Sequence, residues 1–164
     1  MPQEEIKGQR INPWVLGARI LVGLTLVVAG SGKMAGQTEF FDALLRSFWT
    51  PAVARFISDY LPWLEIALGG FLLLGLFPRP ASALCLPITM GFIANNIWAL
   101  WHGVENFGEC SCFGWWEKWL GTISPLQALC IDIVLFGLAL LVLLYHPHRF
   151  FSPPAWFSKR KRKA

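Results

Sequence analysis

Residues 109–114 read Glu-Cys-Ser-Cys-Phe-Gly and set two thiols one residue apart, in a short polar interval between two long apolar runs. A thiol is both a nucleophile and a reversible redox group, which makes Cys110 and Cys112 the candidate catalytic pair. Three chemistries fit the spacing. The pair can close a small, strained disulfide, which strain makes more reducible and suits to exchange with a partner's thiols. Two thiolates can also hold a soft ion such as Cu(I) or Hg(II), with His102 as a further ligand. Or the sulfurs can be structural, paired with each other or with Cys130, a possible third thiol about 8 Å below the membrane entry of its helix. Redox exchange is the favoured reading, because an outward-facing loop is where disulfides persist.

A second set of chemically capable residues lies within the apolar runs: Lys33, Glu65, Asn95, Asn96 and Asp132. Counted along their helices at 1.5 Å per residue, they reach a similar depth just beneath the cysteine loop. Ionisable groups inside a membrane are costly and find each other. They form either a structural ion pair that locks the bundle or a polar site that serves the thiols by handling protons or stabilising charge. Other chemistries lack their residues. Zinc would need a second pair of ligands at finger-like spacing, so no resident metal is expected. There is no glycine-rich phosphate loop, and no Ser or Cys nucleophile at recognisable spacing from a His.

The elements that must position these residues are membrane helices. The 164 residues are 55% hydrophobic and 15% charged, with nine Trp, and the mean hydropathy is +0.49. A soluble domain of this length could not bury that much apolar surface. Four runs, 13–32, 60–77, 81–101 and 125–145, match the roughly 20 residues needed to cross a hydrocarbon core of about 30 Å. The spacing predicts an all-α integral membrane four-helix bundle. Between its first two spans, residues 35–58 carry Phe40, Phe41, Leu44, Leu45 and Phe48 at helical spacing with charges interleaved, the pattern of an interfacial helical segment that packs as a lid. A break is expected at Thr50-Pro51. Asn12-Pro13 and Ser124-Pro125 are cap-and-proline starts, and the glycines at 69 and 70 invite close helix approach. Arg19 reads as an anchor snorkelling to the headgroups, and Cys85 and Cys130 as small buried hydrophobes. The first run exceeds a normal signal-peptide core and contains Arg19, so it reads as a retained span.

Basic residues set the expected orientation. Lys7, Arg10, Arg79, Arg149 and the run Lys159, Arg160, Lys161, Arg162, Lys163 are nine of the fourteen Lys and Arg, and all flank one end of the bundle. The positive-inside bias makes that end cytoplasmic, both termini with it, and turns the cysteine loop outward. Lys33, Arg46 and Arg55 run against the bias, softened by Glu39, Asp42 and Asp59 nearby. The terminal basic run reads as an anchor on anionic lipid rather than as a nucleic-acid site. Residues 1–12 and 146–164 are then cytoplasmic tails around a membrane domain, 13–145.

Taken in order, Arg19, Ser31-Gly32-Lys33, Glu65 with the tail Gly69 to Leu76, Cys110-Ser111-Cys112-Phe113-Gly114 and Asp132 resemble the DoxX-like and MauE group of four-helix membrane proteins. The resemblance covers roughly residues 14–144, and the Cys-x-Cys-Phe-Gly element points to the MauE branch. It implies a redox-associated protein of the bacterial inner membrane that works with a periplasmic thioredoxin-like partner, in maturing a disulfide-rich periplasmic protein of methylamine utilisation. Members of the wider group are tied to thiosulfate:quinone oxidation, which brings in a quinone as a conceivable cofactor. By position, Cys110 and Cys112 would be the redox pair and Lys33, Glu65 and Asp132 the bundle's polar set. The chain departs from the group at Ile131, where the group often has Arg, and puts Cys130 beside it.

Overall fold

The computed structural model describes residues 12–102, 114–116 and 124–145. Cys110 and Cys112 lie outside the described residues, as do the two tails. Four helices among the described residues are long and apolar enough to cross a membrane, α1 (Pro13–Ala35), α3 (Pro51–Leu74), α4 (Pro78–Trp101) and α5 (Pro125–Tyr145). A short α2 (Gln37–Leu45) joins the first two, and a 3-10 turn, Gly114–Trp116, precedes α5.

The starts follow local chemistry. The Asn12 side chain accepts a hydrogen bond from the Trp14 backbone N–H at 3.1 Å, and Pro13 follows with its ring already set for a first helical turn. At α5, Ser124 Oγ accepts from Gln127 N at 3.3 Å while Gln127 Oε1 accepts from Ser124 N at 3.0 Å, a reciprocal capping box. Helix α3 ends at Gly75, whose φ of 73° is cheap only for glycine, with Leu76 N returning to Phe71 O at 2.9 Å. Phe77 also takes a left-handed conformation before Pro78 opens α4, so two left-handed residues flank Leu76 in the turn between α3 and α4.

Two boundaries differ from the sequence expectation. Helix α1 continues three residues past Gly32, which carries Lys33 inside the helix instead of at its exit. The second span begins at Pro51 and not near residue 60. Pro62 sits within it, fully buried, and does not mark the start of the helix. About 21 Å of α3 therefore precedes Glu65, against about 3 Å of α1 beyond Lys33. The surplus of α3 is what α2 packs on. Phe40 and Leu44 bury against Ala54, with Ile57 and Leu61 alongside, and Gln37 Nε2 donates to Asp59 Oδ1 at 3.0 Å. The lid read from residues 35–58 is thus α2 folded back on the first turns of α3.

The spans alternate in direction and close into a ring, α1 on α3, α3 on α4, α4 on α5 and α5 on α1, with α1–α3 and α4–α5 the most extensive pairs. An apolar cluster of Val22, Leu26, Leu68, Leu72, Cys85 and Ala139 fills the half toward the Gly75–Phe77 turn. The outer surface carries large apolar residues, among them Leu21, Leu74, Leu84, Ile97, Val134 and Leu144. With lipid as solvent that is the stable arrangement, and polar groups go inward. Arg19 follows this rule and not the snorkelling expected of it, being 0% exposed inside the bundle. Cys85 is buried as expected, whereas Cys130 is exposed on the outer face of α5.

Close approach at the α1–α3 seam depends on Gly69. A Cβ built there would stand 2.7 Å from Gly23 O and 2.8 Å from Val27 Cγ2, while one at Gly70 meets nothing within 4 Å. Gly69→Ala should therefore cost about 1–3 kcal/mol by forcing the helices apart. Gly70→Ala should be neutral or stabilising by up to about 1 kcal/mol. Thermal unfolding of the two variants in one detergent tests the pairing, and equal Tm values would refute it.

Candidate functional site

One turn above the apolar cluster, the bundle interior becomes polar. On α1 the inward positions Val22, Leu26, Ala29 and Lys33 recur at four- and three-residue steps, so the last of them inherits the core-facing direction of the others. On α3 the same face runs through Glu65, Leu68 and Leu72. The two faces meet, and Lys33 Nζ stands 2.6 Å from Glu65 Oε1, with side chains 2% and 1% exposed. Aromatic faces enclose the ammonium, Phe92 of α4 at 4.3 Å from its ring centroid and Phe40 of α2 at 5.5 Å. A desolvated cation over an aromatic face gains about 2 kcal/mol. Lys33 is thereby held by three elements besides its own helix.

The other two spans supply a second pair. Asn96 Nδ2 donates to Asp132 Oδ2 at 2.8 Å, both side chains buried. Where the sequence resemblance leads one to look for Arg beside Asp132, this chain instead gives that carboxyl an amide donor from α4. Lys33, Glu65 and Asp132 all line one cavity of about 30 Å³, closed on the α4 side by Thr89 and Phe92 and on the α5 side by Ala128. Thr89 Oγ1 donates within α4, lying 3.0 Å from both Cys85 O and Leu86 O. Glu65 Oε2 is buried and has no hydrogen-bond partner among the described residues.

Four of the five expected polar residues thus converge, one from each spanning helix. Asn95 does not. It faces the lid, where its Oδ1 accepts from Ser47 Oγ at 2.5 Å and from Trp49 Nε1 at 3.3 Å, tying the α2–α3 connection to α4. The adjacent pair Asn95 and Asn96 is divided by the 100° helical step, one residue serving the lid and the other the core. Cys130 lies two residues, about 200°, around α5 from Asp132 and points outward, away from this cluster. His102 closes α4 with its ring stacked on Trp98 and Nδ1 3.0 Å from Trp98 O.

Two residues of this site escaped the sequence reading. Phe92 and Thr89 share a face with Asn96 at positions i, i+3 and i+7, a spacing that is legible once Asn96 is known to point inward. Above them the 3-10 turn packs on α1 and α2. Trp116 Nε1 donates to Ser31 Oγ at 3.1 Å, two residues before Lys33. The bundle thereby holds this turn through a side chain of α1. This turn comes two residues after Cys112 in the sequence.

The profile of a protein family described as Methylamine utilisation protein MauE matches residues 11–145. The chain belongs to the MauE family. It is a multi-pass membrane protein, and the match takes in all four spans, the lid and the cysteine loop of this MauE-family chain. No curated protein matches it, and no solved structure does.

The Lys33–Glu65 contact makes a definite energetic prediction for this MauE-family protein. Glu65→Leu alone breaks the direct contact, leaves the buried ammonium with only the more distant Asp132 carboxyl of the same cavity, and should cost up to about 3–5 kcal/mol. Adding Lys33→Met removes the poorly paired ammonium and should recover most of that loss. A double-mutant cycle on unfolding in detergent measures the coupling, and additive losses would show that the pair does not act as one unit.

Proposed function

We propose that this MauE-family protein is a thiol–disulfide exchange protein of the bacterial inner membrane. Its Cys110/Cys112 pair faces the periplasm and trades disulfides with a soluble thioredoxin-like protein, in the maturation of a disulfide-rich periplasmic protein of the methylamine-utilisation type. A thiolate of the pair attacks a sulfur of the partner's disulfide, forming one S–S bond as the partner's breaks and its second sulfur leaves as thiolate. The other cysteine then attacks the mixed disulfide and releases the partner as a dithiol. Two electrons and two protons pass in all, and the same steps run backward with a reduced partner. The quinone of the wider group, where one serves, would meet the same outer thiols.

The observation that carries this reading is the anchoring of the turn that follows Cys-x-Cys. Trp116 is tethered to Ser31, and the turn rests on α1 and α2 at the end of the bundle that holds Lys33, Glu65, Asn96 and Asp132. A buried cation and two carboxyls at that end supply the field that tunes thiolate formation. The excess of Lys and Arg about the opposite end supports this orientation, and the family match supports a membrane protein involved in methylamine utilisation.

In a Cys85→Ala, Cys130→Ala background, Cys110 and Cys112 should pass between alkylatable and protected states as the redox buffer is varied. Cys112→Ser alone should accumulate a mixed disulfide with the partner that reductant releases. Membrane-impermeant thiol reagents should label the reduced pair from outside in spheroplasts. A pair that no redox buffer shifts would end the exchange reading, and labelling confined to inverted vesicles would end the assigned orientation.

A further inference from the structure

The cavity at the centre of the polar cluster has a charge account that its visible contacts do not close. Three ionisable groups line it, Lys33 from α1, Glu65 from α3 and Asp132 from α5. From α4 come only neutral groups, the Asn96 amide on Asp132 and the Thr89 hydroxyl, with the Cys85 thiol one turn further along. The other buried cation, Arg19, stands fourteen residues from Lys33 on α1, about 21 Å along the axis. One ammonium faces two carboxyls, so full ionisation leaves a net negative charge inside a membrane bundle. Like charges sharing a dry site do not both ionise.

The geometry indicates which carboxyl gives way. Glu65 receives the Lys33 ammonium directly, a contact that holds it as a carboxylate. Asp132 receives a neutral amide, which a carbonyl oxygen of a protonated acid accepts equally well. The remaining oxygen of Glu65, Oε2, is 1% exposed with its residue and lacks a donor among the described residues. A cavity of about 30 Å³ adjoins it. That volume exceeds the roughly 10–15 Å³ that one water needs.

We propose that Glu65 and Asp132 share one exchangeable proton, carried on Asp132 and relayed to Glu65 Oε2 by a water molecule seated in this cavity. The proton comes from bulk water and forms an O–H bond on the Asp132 carboxyl, with no change of oxidation state anywhere. The cluster is then neutral overall, with Lys33 positive, Glu65 negative and Asp132 uncharged. A hard metal ion is a poorer occupant, because it requires six or more oxygen ligands and the lining offers Glu65, Asp132 and a Thr89 hydroxyl already donating within its helix. The inference is independent of the thiol chemistry proposed above.

Infrared spectroscopy of the full-length protein in lipid nanodiscs at neutral pH tests it. The expected spectrum contains one carbonyl band of a buried carboxylic acid, shifting when H2O is replaced by D2O, and Cys110→Ser with Cys112→Ser leaves it unchanged. Asp132→Asn abolishes the band. Glu65→Gln abolishes it too, because Asp132 then ionises to balance Lys33. Lys33→Met gives a band of about twice the intensity, since both carboxyls become neutral. A wild-type spectrum without the band overturns the proposal, as does a band that survives Glu65→Gln, which would mean that burial alone protonates Asp132. Loss of the band on adding Na+ or K+, together with a rise in Tm, would assign the site to a metal cation and overturn it equally.

Discussion

The buried contact between Lys33 and Glu65 is the constraint around which the upper half of the bundle is arranged. Separating two such charges from water is expensive, and the cost is met only when geometry is good and neighbouring groups finish the work. Here the Lys33 ammonium has a carboxylate at 2.6 Å and two aromatic faces. Holding that geometry needs α1 and α3 pressed together, and the seam below the contact is built for it, with the Gly69 backbone against Gly23 and Val27. The fit of the glycines and the ion pair therefore reinforce one another. Between apolar helices in lipid there is little hydrophobic drive to associate, so packing and polar contacts carry the specificity.

From this contact the rest of the polar interior follows. Phe40 touches the ammonium only because α2 folds back along the extended first half of α3, and α2 stays there through its own buried Phe40 and Leu44 and through Gln37 and Asp59. Asn95 secures the far side of the same lid by binding Ser47 and Trp49. The turn at Gly114–Trp116 completes the cover by way of Ser31. Lid, turn and ion pair thus gather at one end of the bundle around a small polar cavity, and the Leu26, Leu68 and Leu72 cluster fills the half beyond it. Burial of this kind strengthens the electrostatic interactions among Lys33, Glu65 and Asp132.

The division of Asn95 from Asn96 illustrates how the fold assigns roles that residue type does not. Both are amides at nearly the same depth, and only helix phase separates them. Asn96 shares the inward phase of Cys85, Thr89 and Phe92 and meets Asp132, while Asn95 is turned to the lid. The same rule sets Cys130 on the outer face of α5 and Asp132 on the inner one. A thiol two residues from a buried carboxyl is thereby directed away from it.

Sequence alone determined the number of spans, the caps at Asn12-Pro13 and Ser124-Pro125, the amphipathic lid and the shared depth of Lys33, Glu65, Asn96 and Asp132. These depend on local chemistry, on length and on the cost of polar groups in hydrocarbon, all of which act along the chain. Tertiary structure alone decided where α3 begins, that Arg19 turns inward, and which polar groups meet. In a soluble helix the apolar stripe discloses the buried face. Here lipid and core are equally apolar, so a span such as Pro125–Tyr145 is hydrophobic on every side and its orientation stays hidden until the helices pack. Pro62 shows a related effect: proline usually marks a helix start, but within α3 it is buried and the chain runs through it.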